Sequence, residues 1–261
     1  MPLPKIDILI PAIEKDLGTL PYVIDSVRKQ VRHPIGKFMI VSPNSWKIKQ
    51  LCARKGCTFV NERTVLPITK KNINYSSARW DRSGWLYQQL LKLGGNRLGK
   101  QAYYLVIDAD TVLIRPHTFR TGGGQTIFYY RRWSQPEYFR TYKKLLGKKA
   151  SSPVSLVTHY MLFEKSKVAR LKRTIEARHG TRWYTAIMRS MNKKKQFAFS
   201  EFETYGNYFH ANYRRQMVLR NALNTSLHMN ASGLTVAKRQ KLARLYRSVS
   251  LHKRKGYSRK A

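Results

Sequence analysis

Two carboxylates separated by one small residue, Asp108-Ala109-Asp110, close a strongly apolar run, YYLVI at 103–107. In an extended segment the side chains at i and i+2 project to the same side, so both acids can share one hard divalent cation. The alternative is neutralisation by neighbouring Lys or Arg. Glu201 and Glu203, in SEFETYG, are the last acids of the chain. Either can act as a general base toward an attacking hydroxyl; the alternative is a pair of structural salt bridges. If that segment is extended, both glutamates lie on one face. Glu201 then has the more open setting, beside the small Ser200, while Glu203 sits between Phe202 and Thr204. Arg79, Arg82 and Trp85 surround the start of a helical stretch, where N–H groups and guanidinium suit a diphosphate. The same arginines would equally suit the solvent face of an amphipathic helix. Asp16 is either a nucleoside contact or a helix cap.

These residues need elements to position them. Residues 6–13 (IDILIPAI) read as a buried first strand, 20–31 as a helix, and 37–41 (KFMIV) as a second strand. A helix over 45–55 and a short strand at 58–60 follow. Strands alternating with helices imply right-handed crossovers and a mostly parallel sheet, Rossmann-like in layout. No GxGxxG follows the first strand, which argues against a dinucleotide dehydrogenase. Residues 81–93 (DRSGWLYQQLLKL) predict a helix stopped by Gly94-Gly95, and 103–107 a buried strand ending at Asp108. A strand at 126–130, a mobile basic stretch at 134–150, a return to the sheet over 155–163 and a basic helix over 165–179 complete the pattern.

Bulk composition narrows the class. The 261 residues suit one α/β domain with elaborations, and 42% hydrophobic content can fill its core. Against 51 Lys+Arg stand only 13 Asp+Glu, a formal charge of +38. Such a field draws polyanions: nucleic acid, an anionic membrane face or phosphate-rich glycans. After Glu203 there is no acid at all, so the tail is a separate charge compartment. Cys52 and Cys57 (CARKGC) lack zinc-site spacing and read as reduced thiols of a cytoplasmic protein. No run reaches the roughly 18 apolar residues of a spanning helix.

YYLVIDADTVLIRP resembles the DxD strand of GT-A glycosyltransferases. The order of IDILIPAIEKD, KFMIVSP, DRSGWLYQQLLKL, THYMLF and SEFETYGNYF resembles a bacterial group of small, poorly characterised transferases of that fold. The resemblance spans 6–209. It implies a GT-A catalytic domain over 1–210, with a nucleotide-sugar half to about 115 and an acceptor half over 116–210. A basic segment over 211–261 would complete or flank the site. It implies a UDP- or GDP-sugar donor, Mn²⁺ or Mg²⁺ bridging the donor phosphates from Asp108 and Asp110, and a glycan or lipid-linked acceptor in cell-envelope or polysaccharide synthesis. GT-A enzymes often supply a third metal ligand from late in the chain. His252 suits that role best and His228 is its rival, while His159 is expected to line the acceptor pocket. By the same resemblance Glu201 and Glu203 lie on the acceptor side of the cleft. The +38 charge and the absence of a spanning run lead to an expected peripheral contact with an anionic membrane.

Two other classes compete. A nucleic-acid-binding protein is favoured by charge and by Lys193-Lys194-Lys195 and Lys253-Arg254-Lys255, but no helix-turn-helix, zinc or RNP signature is legible. A nucleotidyltransferase would need a glycine- and basic-rich loop after the first strand, where this chain has PAIEKDLGTL.

Overall fold

The computed structural model describes residues 2–133 and 135–252; the basic run at 253–255 and Ser134 lie outside them. The chain begins with β1 (Ile6–Pro11), α1 (Leu20–Gln30), β2 (Ile35–Ser42), α2 (Trp46–Arg54) and β3 (Thr58–Asn61). A small hairpin, β4 (Ser76–Ser77) and β5 (Trp80–Asp81), leads into α3 (Ser83–Gly94), β6 (Tyr103–Ile107) and β7 (Thr111–Leu113). Next come β8 (Thr126–Tyr130), α4 (Pro136–Leu146), β9 (Tyr160–Glu164), α5 (Lys165–His179), α6 (Trp183–Ser190) and α7 (Glu201–Tyr213). The last elements are β10 (Met217–Asn221), β11 (Asn224–Leu227), α8 (Val236–Ala243) and β12 (Ser248–Leu251).

The main sheet runs β3-β2-β1-β6-β9, with the first four strands parallel and β9 antiparallel to β6. All six residues of β1 are buried, as a central strand covered on both faces requires. Period-two alternation divides the core. Leu9, Tyr104, Val106 and Phe163 face one layer, packed with α3, α5 and α7. Ile8, Ile10, Leu105 and Ile107 face the other, with α1 and α2. Each such aliphatic side chain contributes about 1.5–3 kcal/mol on burial.

From β1 the chain builds outward to β2 and β3, then returns to the other side of β1 as β6. Between β1 and β6 the order reverses, and the crevice beyond the carboxyl ends of two such strands is where open α/β sheets bind ligands. β10 pairs with β8, and β12 lies between β11 and β7.

Three local expectations are corrected. The stretch expected to be mobile, 134–150, contains α4, whose Tyr138, Tyr142 and Leu145 form one buried stripe. Pro136 opens that helix and Gly147, at φ +73°, ends it. The segment taken as extended around Glu201 and Glu203 is the first turn of α7, capped by Ser200 Oγ accepting from Glu203 N at 3.2 Å. The Asp108–Asp110 motif is a turn, closed by Thr111 N donating to Asp108 O at 3.1 Å, rather than an extended segment.

Candidate active site

The motif turn sits at the crevice because β6 ends there and β7 immediately reverses. Three neighbours fix it. Thr19 Oγ1 donates to Ala109 O at 3.0 Å, Asp108 N donates to His159 O at 2.9 Å, and Leu251 N donates to Asp110 O at 2.8 Å. With its backbone held from three elements, the turn presents two partly exposed carboxylates, 22% exposed at Asp108 and 35% at Asp110.

Asp108 is held by two groups. Lys92 Nζ, from the C-terminal half of α3, lies 2.5 Å from Oδ1, and His159 Nδ1 lies 3.1 Å from Oδ2. The same Lys92 ammonium donates to Glu201 Oε1 at 2.7 Å. Lys92 therefore bridges the motif to the start of α7, over the Phe202 ring. Burial alone would raise the Asp108 carboxyl, but Lys92 and His159 override it and hold it well below the usual carboxylate range. Burial would likewise lower the Lys92 ammonium, and the two carboxylates keep it charged. Burial raises the Glu201 carboxyl, with Lys92 opposing and the Asp108 charge assisting.

His159, expected to line the acceptor pocket, lies against the motif, at Asp108. Its φ of +69° is rare for a side chain with a Cβ, and the strain persists because the pairing of β9 with β6 fixes it. His252 meets the motif from the other side. Its Nδ1 is 3.4 Å from Asp110 Oδ2, since β12 delivers it there, and that bond raises its pKa. His228 is one ring further on, its centroid 6.5 Å from that of His252.

Among the described residues, no three His, Cys, Asp or Glu side chains already form a metal-ion cluster. The donor chemistry nevertheless fits a hard divalent cation. Adjacent ligands of an octahedral ion at 2.0–2.1 Å lie about 3.0 Å apart, close to the separations at Asp108–His159 and Asp110–His252. The carboxylate oxygens suit Mn²⁺ or Mg²⁺, and an imidazole joins such a set only as the neutral ring.

The remaining sequence candidates are placed differently. Glu203 is 1% exposed and fully engaged, with Ser155 Oγ at 2.8 Å, Asn207 Nδ2 at 2.8 Å and Leu156 N at 3.3 Å. On a helix, positions i and i+2 point apart, so only Glu201 reaches the motif. Asp16 Oδ2 accepts from Ile13 N at 2.9 Å and caps the turn after β1, in the loop whose Thr19 touches Ala109. Arg79 is exposed in the β4–β5 turn. Arg82 lies between the Trp85 and Phe197 rings, at 5.7 and 4.7 Å. The N-terminus of α3 is already met by Asp81 Oδ1, which accepts from Ser83 N at 2.8 Å. It is the C-terminal half of α3 that faces the motif, through Lys92; Gln88 Nε2, in mid-helix, lies 3.4 Å from Pro11 O at the end of β1.

Lys92 and Gln89 are the residues that the sequence reading missed. Gln89 is 2% exposed and its Oε1 accepts from Glu201 N at 3.2 Å. A lysine among Leu90, Leu91 and Leu93 was the available signal, because a cation in a buried stretch requires carboxylate partners.

A family model matches residues 4–244. The chain belongs to DUF6492, a family of unknown function. No curated protein matches it in sequence. Among solved structures it is similar to the apo form of WbbM, a bifunctional glycosyltransferase, at 12% identity and a TM-score of 0.54. That likeness covers 95% of this chain and 45% of WbbM, so the chain spans less than half of that protein. It is also similar to the galactosyltransferase LgtC in complex with donor and acceptor sugar analogues, at 11% identity and a TM-score of 0.50. There 94% of this chain and 87% of LgtC are covered. The DUF6492 chain has the GT-A fold: a mostly parallel central sheet flanked by helices, in a single domain.

Proposed function

We propose that this protein is a metal-dependent glycosyltransferase that moves a sugar from a UDP- or GDP-sugar to a hydroxyl of a glycan or lipid-linked acceptor. The observation that supports it most is the meeting of Asp110 and His252 beside Asp108, at the sheet's switch point. Asp108, Asp110 and His252 would hold Mn²⁺ or Mg²⁺, which when bound supplies Lewis-acid stabilisation of the departing nucleotide diphosphate. Lys92 takes one oxygen of Asp108 and leaves the other facing His159, so it fixes the carboxylate's orientation. Glu201, 2% exposed, holds Lys92 in place, which makes it a positioning residue.

With both glutamates engaged inside the fold, neither presents an oxygen to an acceptor hydroxyl. A charge of +38 and, among the described residues, no helix long and apolar enough to cross a membrane support peripheral contact with an anionic leaflet. A cytoplasmic role in cell-envelope synthesis accords with this reading.

The test is thermal shift with UDP and GDP, with and without Mn²⁺, followed by donor turnover. A nucleotide shift that requires Mn²⁺ is expected and should vanish in Asp110→Ala. A shift with neither nucleotide, or one unaffected by EDTA, overturns the metal-dependent reading.

A further inference from the structure

Few of the chain's cations are used at the motif. Away from it, α4, α6, residues 72–74 and residues 191–194 enclose an open cavity of about 710 Å³, within the usual size of a ligand site. Lys144 from α4, Arg189 from α6, and Lys193 and Lys194 line it. All four are exposed, and none has a carboxylate ion-pair partner among the described residues. No acid occurs between Glu176 and Glu201 to supply one. A concave wall of one charge sign focuses its field and concentrates anions.

Given the transferase reading above, we infer that this cavity binds the acceptor, and that the acceptor is an anionic glycan carrying phosphate or carboxylate groups. Asn72, Asn74 and Thr185 stand among the cations, offering amide and hydroxyl groups to sugar hydroxyls. Single-stranded nucleic acid would instead want free aromatic faces for stacking. The nearby rings are spent on one another: Tyr75 meets Trp80 edge-on at 5.2 Å, and Trp85 meets Phe197 at 5.9 Å.

The cavity is wired to the motif by one segment. Lys193 and Lys194 line the wall, and Tyr75 Oη donates to the next carbonyl, Lys195 O, at 2.5 Å. Tyr75 Oη also accepts from Ala198 N at 3.1 Å, so one buried phenol pins the segment at two points. Ser200 then caps α7, and Glu201 reaches Lys92 on Asp108. An anion on this wall is thus held by the segment that positions the motif's own lysine.

The test measures binding of four probes to the full chain by calorimetry over a salt series: a glycerol-phosphate hexamer, an oligogalacturonate, maltohexaose and a single-stranded oligonucleotide of the same charge. Arg189→Gln/Lys193→Gln/Lys194→Gln is compared with a control on α8 and just beyond it, Lys238→Gln/Lys241→Gln/Arg244→Gln. One or both anionic glycans should bind the wild type, which also tells phosphate from carboxylate. The cavity variant should bind about 10–100-fold more weakly, with a log–log salt slope shallower by about 2. Equal losses in the control variant, equal binding of maltohexaose, or no binding of either anionic glycan overturns the inference. So does tighter binding of the oligonucleotide with the same dependence on the cavity cations, which would mark a nucleic-acid site. Circular dichroism checks that both variants fold. The Mn²⁺-dependent nucleotide shift is read in parallel: if it is absent while the glycan still binds through the cavity, the transferase reading fails and the anion site stands.

Discussion

Replacing Lys92 by Met keeps most of the side chain's length and apolar stem but removes the ammonium between Asp108 Oδ1 and Glu201 Oε1. Side-chain exposure is 4% at Lys92, 2% at Glu201 and 22% at Asp108. Breaking a buried pair from one side costs about 3–5 kcal/mol, because the charge left behind has neither water nor partner. Asp108 keeps His159 and some solvent, so most of the cost falls on Glu201. That residue can escape by taking a proton. Its carboxyl is already raised by burial, and without Lys92 it rises further.

The sign of the pH dependence follows. A folded-state pKa above the unfolded one gives stability that is present in acid and lost as pH rises, by about 1.4 kcal/mol per unit while the folded carboxyl stays protonated. Asp108 in the wild type is the opposite case. Its depressed pKa contributes stability above the unfolded carboxylate range, lost only as strong acid protonates it. The gap between Lys92→Met and wild type should therefore be about 3–5 kcal/mol near pH 7.5 and shrink by up to about 1.4 kcal/mol per unit toward pH 5. Urea unfolding by tryptophan fluorescence in EDTA reads it, and Lys92→Met/Glu201→Gln should recover part of the loss. A variant within about 1 kcal/mol of wild type, with a parallel pH profile, refutes a charged buried bridge.

Three other outcomes are expected. His252→Ala should abolish the Mn²⁺-dependent nucleotide shift while changing the melting temperature in EDTA by little, because its side chain is 27% exposed and the Asp110 carboxylate it meets is itself 35% exposed. Glu203→Gln should cost about 1–3 kcal/mol of stability through its bonds to Ser155, Leu156 and Asn207, and leave the nucleotide shift intact. A lost shift with unchanged stability would restore Glu203 to the site. In sedimentation with liposomes the protein should bind anionic but not neutral vesicles, and salt should release it, each basic residue near the surface contributing about 1 kcal/mol. Equal binding to both kinds contradicts the electrostatic account.

The sheet was legible because its strands are apolar runs too short for helices, alternating with helical spacing. β1, β2 and β6 fall within a residue or two of where hydrophobic pattern alone sets them. The start of α7 was less legible because FAFSEFETYGNYF is apolar and aromatic on every side, so a helix buried all round shows no stripe. One signal was present. Ser200 three residues before Glu203 is the spacing of a helix cap, and reading it would have separated the two glutamates at once. At α4 the reverse happened: a run of Lys and Arg concealed the stripe of Tyr138, Tyr142 and Leu145. The Asp110–His252 and Asp108–His159 pairs depend on β12 pairing with β7 and β9 with β6. Spacing along the chain carries no record of such partners.

Scarcity of acid explains why the motif is built this way. Asp7 accepts from two backbone N–H groups, Lys37 N at 2.8 Å and Gln101 N at 3.1 Å; Glu203 pins residues 155 and 156; Asp81 caps α3. Each spends its charge on backbone that a chain this basic must still fold. Asp108 and Asp110 differ, since their partners are Lys92 and two histidines at a crevice rather than backbone N–H groups. A histidine can give up its proton near neutral pH, whereas Lys92 stays charged between its two carboxylates. Lys92 thus keeps Asp108 ionised and oriented from one side, while His159 meets its other oxygen and His252 meets Asp110.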